Sequence, residues 1–162
     1  MKYKLVAFWL VVFGALFAFL QTRFEYHFYY IEQSQLFLFT EAYIRNKLLL
    51  PGGFSMLVAE FLVQFFIRPY VGALVTAALL TGVGVCTAGI VKRIASASGL
   101  FILYVQPMLA LLFMHFDFNY RVQGTVCYLM MTALLCGYMR IRNDLFRLVA
   151  GCVLVPVLFW LA

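Results

Sequence analysis

The sequence predicts an all-α protein: a polytopic transmembrane helical bundle with two interfacial amphipathic helices after the first span. Its 162 residues are 66% hydrophobic and 11% charged, with a mean hydropathy of +1.00, whereas about a quarter of the residues in a soluble domain are charged. The apolar runs are long and are flanked by Lys and Arg, as membrane spans are. Because a backbone in hydrocarbon must satisfy its own hydrogen bonds, such runs are expected to be helices.

The first span is predicted at 5–24, after a short basic start at 1–4. A basic start before an apolar run is also typical of a signal peptide. No small-x-small cleavage site follows, because the run ends Ala18-Phe19-Leu20-Gln21. We therefore expect an uncleaved span, with the N-terminus in the cytoplasm.

The outer loop at 25–68 is predicted to carry the two interfacial helices. The first is expected at 41–50, and Pro51-Gly52-Gly53 should end it and turn the chain. The second is expected at 54–66, with Glu60 and Gln64 four residues apart on one face.

The first part of this loop, at 24–39, is rich in Phe and Tyr. Aromatic side chains favour the boundary between membrane and water. We expect this stretch to lie against the bilayer surface or to fold back among the spans.

Four further spans are predicted at 71–91, 100–116, 122–139 and 145–162, with a turn at 94–99. The span at 71–91 is rich in Gly and Ala, which predicts close packing against a neighbouring helix. The single transmembrane domain would thus fill 1–162.

The last apolar run, at 148–162, has 15 residues and reaches about 22 Å, against roughly 30 Å of hydrocarbon. Either this span begins near Leu145, or the chain is the N-terminal part of a longer protein. The second interpretation is the one that we favour.

Charge is distributed unevenly across this topology. The net charge of +6 falls entirely on the predicted cytoplasmic side, as the positive-inside rule requires, and this placement argues against nucleic acid as a partner. Five of the six carboxylates and both histidines fall on the outer side, so the outer side is where we expect any chemistry.

The candidate catalytic residues are three outer carboxylates, Glu25, Glu32 and Asp117. In a cleft they could hold a divalent cation through oxygen ligands or act as general bases if burial raises a pKa. The alternative is that each is solvated, or is paired with a neighbouring arginine.

The histidines His27 and His115 lie at the outer ends of spans. A bis-histidine haem or metal site is one hypothesis, and hydrogen bonding to protein partners is the favoured one. Arg121 could bind a lipid phosphate through its guanidinium group, or anchor the end of a span at the headgroups. We found no motif typical of soluble catalysis.

Three short runs lie within 32–66, about a fifth of the chain: Glu32-Gln33-x-Gln35-Leu36-Phe37-Leu38-Phe39-Thr40, Pro51-Gly52-Gly53 and Phe61-Leu62-x-Gln64-Phe65-Phe66. They resemble the N-terminal part of an uncharacterised family of bacterial multi-pass membrane proteins, and they carry no known activity. This resemblance implies a location in a bacterial inner membrane.

The architecture also resembles that of GT-C-type glycosyltransferases, which use a polyprenyl-phosphate-linked sugar. Those enzymes have a long first outer loop with an acidic residue, matched here by Glu25, Glu32 and Glu41. They also have acidic residues in the outer loop between spans three and four, matched here by Asp117. The chain lacks their paired acidic motif and their full number of spans. The likeness lies at the level of fold, which hosts many functions.

The resemblance implies a membrane-embedded transferase module whose outer cleft holds a lipid-phosphate-linked sugar. Glu32 and Asp117 would form its acidic centre, and Arg121, Gln35, His27 and His115 are the candidate substrate-binding residues. The alternative function is a non-enzymatic scaffold, assembly or transport subunit with partner membrane subunits.

Overall fold

A computed structural model of the chain describes residues 2–94 and 101–161. Every regular element in these residues is a helix, which confirms the predicted all-α class. The predicted turn at 94–99 falls outside them apart from Ile94. The helices are α1 Lys2–Arg23, α2 Glu25–Ser34, α3 Glu41–Leu48, α4 Gly53–Val63, a 3-10 helix Gln64–Ile67, α5 Val71–Ile94, α6 Phe101–Met114, α7 Val122–Tyr138 and α8 Asp144–Leu161.

Three helices in the described ranges are long and apolar enough to cross a membrane: α1, α5 and α8. They coincide with three of the five predicted spans, so the chain has the helices of a membrane protein. The predicted spans at 100–116 and 122–139 correspond to α6 and α7, which have 14 and 17 residues. These helices reach about 21 and 25 Å, so membrane crossing by α6 and α7 stays a prediction.

Helix α5 is the centre of the bundle and contacts α1, α6 and α7. It is antiparallel to α1, because Gly84 of α5 lies against Trp9 while Gln21 and Gly72 line one small cavity. It is parallel to α7, because Gly82 lies against Leu129 and Gly89 against Cys136. The C-terminal ends of α5 and α7 therefore lie at the same end of the bundle as the start of α1.

Small residues allow the close packing of α5, as predicted. A Cβ atom on Gly84 would lie 2.6 Å from two carbons of the Trp9 ring, and one on Gly72 would lie 2.6 Å from the Phe28 ring. Real Cβ atoms do not approach other atoms this closely, so both positions require glycine unless a ring moves.

We expect Gly84→Ala to destabilise the protein by about 1–3 kcal/mol, the usual cost of overpacking a core. Gly14→Ala in α1 is the matched control, because no atom lies within 4 Å of the Cβ atom it would add. Thermal unfolding in detergent should show a lower melting temperature for Gly84→Ala alone. Equal melting temperatures for the two variants would contradict the close contact.

The segment between α1 and α5 forms three α-helices, one more than the sequence predicted, and the 3-10 helix Gln64–Ile67. The additional helix, α2, folds back against the bundle, with Phe28 and Ile31 buried. For residues 25–34 this agrees with the second of the two arrangements expected for the aromatic stretch, whereas Leu36, Leu38 and Phe39 are exposed. Helices α3 and α4 match the predicted pair, and the buried face of α4 packs against α7.

Candidate functional site

A polar pocket opens at the end of the bundle where α7 begins. It has a volume of about 270 Å³ and lies between the C-terminal end of α2, helices α3 and α4, and the start of α7. We call it the polar pocket, and the residues that line it are Ser34, Gln35, Leu36, Tyr43, Lys47, Met56, Glu60, Arg121 and Gln123.

A tight turn sets the distance between α3 and α4. Gly52 adopts the left-handed conformation, with φ 71°, which glycine tolerates best. Gly53 lies so close to α3 that a Cβ atom there would be 1.7 Å from the carbonyl oxygen of Lys47. The predicted Pro51-Gly52-Gly53 turn is therefore confirmed, and its two glycines let the helices pair closely.

The end of α8 closes this turn from outside. The Trp160 indole N–H donates to the Leu48 carbonyl oxygen at 3.0 Å, and the Gly52 N–H donates to the Trp160 carbonyl oxygen at 2.9 Å. The Trp160 ring also stacks on Phe54, with centroids 5.5 Å apart. The end of α8 thus holds the hairpin of α3 and α4 through contacts with both its backbone and its side chains.

Helix periodicity aligns the polar residues of the hairpin. Tyr43 and Lys47 are four residues apart on α3, as Met56 and Glu60 are on α4, so each pair shares one helix face. The Lys47 ammonium donates to Glu60 Oε1 at 2.9 Å and to Met56 Sδ at 2.7 Å. The Tyr43 hydroxyl donates to Glu60 Oε2. Both oxygens of Glu60 are thereby engaged by α3.

Burial strengthens these contacts, because the side chains of Lys47 and Glu60 are only 23% and 12% exposed. Burial, together with the hydrogen bond to Glu60 and its negative charge, raises the pKa of Tyr43 from 10.0 to about 12. A tyrosinate beside this carboxylate would be repelled. Tyr43 therefore remains a neutral hydrogen-bond donor over the physiological range.

Replacing Glu60 with glutamine should lower the pKa of Tyr43 from about 12 towards 10. Because the folded-state pKa lies above the unfolded value, the contribution of Tyr43 to stability is complete below pH 10 and is lost as pH rises through 12. Tyrosinate absorbance, taken as the difference between each protein and its Tyr43→Phe partner, measures the midpoint. An unchanged midpoint in Glu60→Gln would contradict the contact.

Arg121 and Gln123 line the polar pocket from the opposite side. Arg121 occupies the N-cap position of α7 and is exposed. Within the described ranges the one ion pair closer than 4.0 Å joins Lys47 and Glu60, so Arg121 has no carboxylate partner there. An unneutralised guanidinium group at this position can accept an anionic ligand.

Two residues of the predicted set, Gln35 and Arg121, thus come together in the polar pocket. Of the predicted carboxylates, Glu25 lines a separate small cavity beside Arg68. Asp117 is exposed and accepts a hydrogen bond from the Asn119 N–H at 2.8 Å. Glu32 lies half-buried on α2. These three do not line the polar pocket, and their catalytic role stays a prediction.

The two histidines lie in different surroundings. His115 Nε2 is 2.9 Å from the Thr125 hydroxyl oxygen, which agrees with the expected hydrogen bonding. The hydrogen bonding expected for His27 is not seen: this side chain is buried, and both its ring nitrogens lack a hydrogen-bond partner in the part of the chain that is described. Its ring lies 4.8 Å from that of Phe118. Burial lowers the pKa of His27, and the charge of Asp117 partly offsets this.

The suggested divalent cation has no candidate ligand set in residues 2–94 and 101–161. No three His, Cys, Asp or Glu side chains come together there in a way that could hold a metal ion. The polar pocket brings together two cations, Lys47 and Arg121, and one carboxylate, Glu60.

Sequence reasoning missed Tyr43, Lys47 and Gln123 as site residues and did not assign a role to Glu60. One signal could have found three of them. Tyr43 and Lys47 are four residues apart before the turn, and Met56 and Glu60 are four residues apart after it. Because a tight turn makes the two helices antiparallel, the two pairs lie opposite each other. The predicted turn, together with the predicted helix face that carries Glu60, was sufficient to place Tyr43 and Lys47 opposite Glu60.

Comparison with known proteins identifies the family of this chain but not its function. The sequence profile of DUF6057, described as a family of unknown function, matches residues 1–162. No curated protein and no solved structure matches the chain. The match covers the whole chain, whereas the resemblance seen in the sequence covered about a fifth of it. The chain therefore belongs to the DUF6057 family of unknown function.

Proposed function

We propose that this protein is a membrane-embedded glycosyltransferase-like module that binds a lipid-phosphate-linked sugar in the polar pocket. The observation that carries the proposal is the lining of that pocket: two cations, a carboxylate, a phenol and two amides meet at one end of an apolar bundle. A lipid-linked sugar phosphate has the matching parts, since its chain favours hydrocarbon and its headgroup is anionic and rich in hydroxyls.

Each side chain has a role that follows from its chemistry. Arg121 binds the phosphate through charge-assisted hydrogen bonds, and Lys47 adds a second positive charge. The amides of Gln35 and Gln123 bind sugar hydroxyls, because an amide both donates and accepts. Phosphate entering the pocket competes with Glu60 for Lys47, which releases a carboxylate oxygen towards the acceptor.

In the proposed transfer step, Glu60 acts as a general base. It takes the proton of an acceptor hydroxyl while the acceptor oxygen forms a bond to the anomeric carbon. The bond between that carbon and the phosphate oxygen breaks, and the lipid phosphate leaves with the electron pair. Two of the three carboxylates predicted from sequence, Glu32 and Asp117, are the alternative bases.

Replacement of Arg121 by glutamine tests whether the polar pocket binds the lipid-phosphate-linked sugar. We expect retention of a radiolabelled polyprenyl-phosphate-linked sugar by the detergent-solubilised protein to weaken about ten- to a hundredfold, because a hydrogen bond to a charged group contributes about 1.5–3 kcal/mol. Arg45→Gln removes an exposed cation of α3 that lies outside the pocket lining and should bind as the wild type does. Equal retention by both variants would exclude the polar pocket as the binding site.

A scaffold or assembly role is the second candidate, and the exposure of α8 favours it. Only 6% of the apolar window of α8 is buried, so most of the helix surface is open to lipid or to a partner subunit. If cysteine crosslinking from exposed Val153 captures a specific membrane protein, and the Arg121 variants retain wild-type function in cells, this second role would replace the first.

A further inference from the structure

A second cavity lies between α1, α5 and α7, with a volume of about 770 Å³. Its walls are almost entirely apolar, and small residues of α5 form part of the lining. We call it the apolar groove; residues that define it include Leu5, Trp9, Phe13, Val85, Gly89 and Cys136. Its size falls within the range of about 300–1,000 Å³ found for ligand sites.

One end of the apolar groove carries two positive charges, from Lys92 at the end of α5 and Arg140 just after α7. Neither has a carboxylate within 4.0 Å among the described residues, since the recorded ion pair is Lys47–Glu60. Lys92 Nζ lies 5.9 Å from the centre of the Tyr104 ring, a contact that leaves its charge unneutralised.

The next residue in the sequence, Arg93, does not line the groove. Arg93 Nη1 donates to the Met139 carbonyl oxygen at 2.6 Å and so joins the C-terminal ends of α5 and α7. Arg93 therefore has a structural role, whereas Lys92 and Arg140 line the groove. The C-terminal ends of α5 and α7 account for the presence of both cations. The feature that favours a ligand is that both cations line one apolar cavity.

We propose that the apolar groove binds one acyl chain of an anionic diacyl phospholipid, whose phosphate lies between Lys92 and Arg140. Charge complementarity selects this occupant. The hydrocarbon walls alone would not favour one lipid over another, because bulk lipid chains are equally apolar. The selectivity must therefore come from the two cations. This site lies at the opposite end of α7 from the polar pocket, about 25 Å away along a helix of 17 residues.

Native mass spectrometry of the full chain tests this site. The protein is released from mixed micelles that contain equal amounts of phosphatidylglycerol, which is anionic, and phosphatidylcholine, which is zwitterionic. Each basic residue near a membrane surface strengthens binding of an anionic lipid about fivefold. We therefore expect the wild type to retain phosphatidylglycerol about ten- to thirtyfold over phosphatidylcholine, and Lys92→Gln/Arg140→Gln to lose most of that preference.

The matched control is Lys4→Gln/Arg142→Gln, which removes the same charge from the same end of the bundle but from residues that do not line the groove. This control should keep the wild-type preference. Ala78→Phe fills the groove from an exposed position of α5 and should reduce the retained phosphatidylglycerol with all charges intact. Equal loss in the two double variants, no effect of Ala78→Phe, or displacement of the lipid by soluble glycerol phosphate would each overturn the proposal.

Discussion

Replacing Glu60 with glutamine is expected to reduce sugar transfer by a factor of about 10² to 10⁴, the usual contribution of a positioned general base. Glutamine keeps the size of the side chain but cannot take a proton. It also weakens the attraction to Lys47, now 2.9 Å from Glu60 Oε1. Transfer from a polyprenyl-phosphate-linked sugar to an acceptor, measured with the reconstituted full chain, gives the rate.

Glu41→Gln is the matched control for this variant, because Glu41 is an exposed carboxylate of α3 outside the lining of the polar pocket. It should transfer sugar at the wild-type rate. If Glu60→Gln is fully active while Glu32→Gln or Asp117→Asn is inactive, the base is one of the carboxylates predicted from sequence, and the assignment to Glu60 is wrong.

The Gly53→Ala variant should disrupt the hairpin of α3 and α4. The new Cβ atom would lie 1.7 Å from the Lys47 carbonyl oxygen and 2.7 Å from its carbon. Both are backbone atoms, so α3 must move away from α4 and carry Lys47 from Glu60. We expect destabilisation of about 3 kcal/mol or more, at the upper end of overpacking effects, together with loss of binding in the polar pocket.

The fluorescence of Trp160 should report this movement, because its indole N–H donates a hydrogen bond to the Leu48 carbonyl oxygen. The chain has two tryptophans, so a Trp9→Phe background isolates its fluorescence. Gly53→Ala should shift that emission and lower the melting temperature. In Gly137→Ala the added methyl group has no atom within 4 Å. This variant should therefore change neither the Trp160 emission nor the melting temperature. Identical melting curves for both variants would contradict the contact.

Hydropathy and glycine chemistry explain how much of the fold could be predicted. The spans at 5–24 and 71–91 follow from apolar length alone, whereas a start of the last span near Leu145 was one of two alternatives. Three helices match these spans. The turn at Gly52 follows from local backbone preference. Helix α2 was harder to predict, since its aromatic composition suits both a bilayer surface and a packed core. Contact with the bundle buries Phe28 and Ile31, and sequence does not reveal that contact.

The candidate site was less predictable, because the polar pocket joins residues far apart in the chain. Gln35 and Arg121 were identified by residue type, as a polar residue in the aromatic loop and a cation at a span end. Their meeting with Glu60 depends on α4 packing against the start of α7. The concentration of carboxylates on the predicted outer side directed attention to all five of them. It could not distinguish a carboxylate held by Tyr43 and Lys47 from one in solvent.

Photo-crosslinking is the most direct test of the polar pocket as the binding site. A polyprenyl-phosphate-linked sugar with a diazirine on its headgroup would be activated in the reconstituted protein and its adducts mapped by mass spectrometry. The account predicts adducts on pocket residues such as Gln35, Met56 and Gln123, reduced by unlabelled lipid-linked sugar and in Arg121→Gln. Adducts confined to other parts of the chain, or unaffected by competitor, would contradict it.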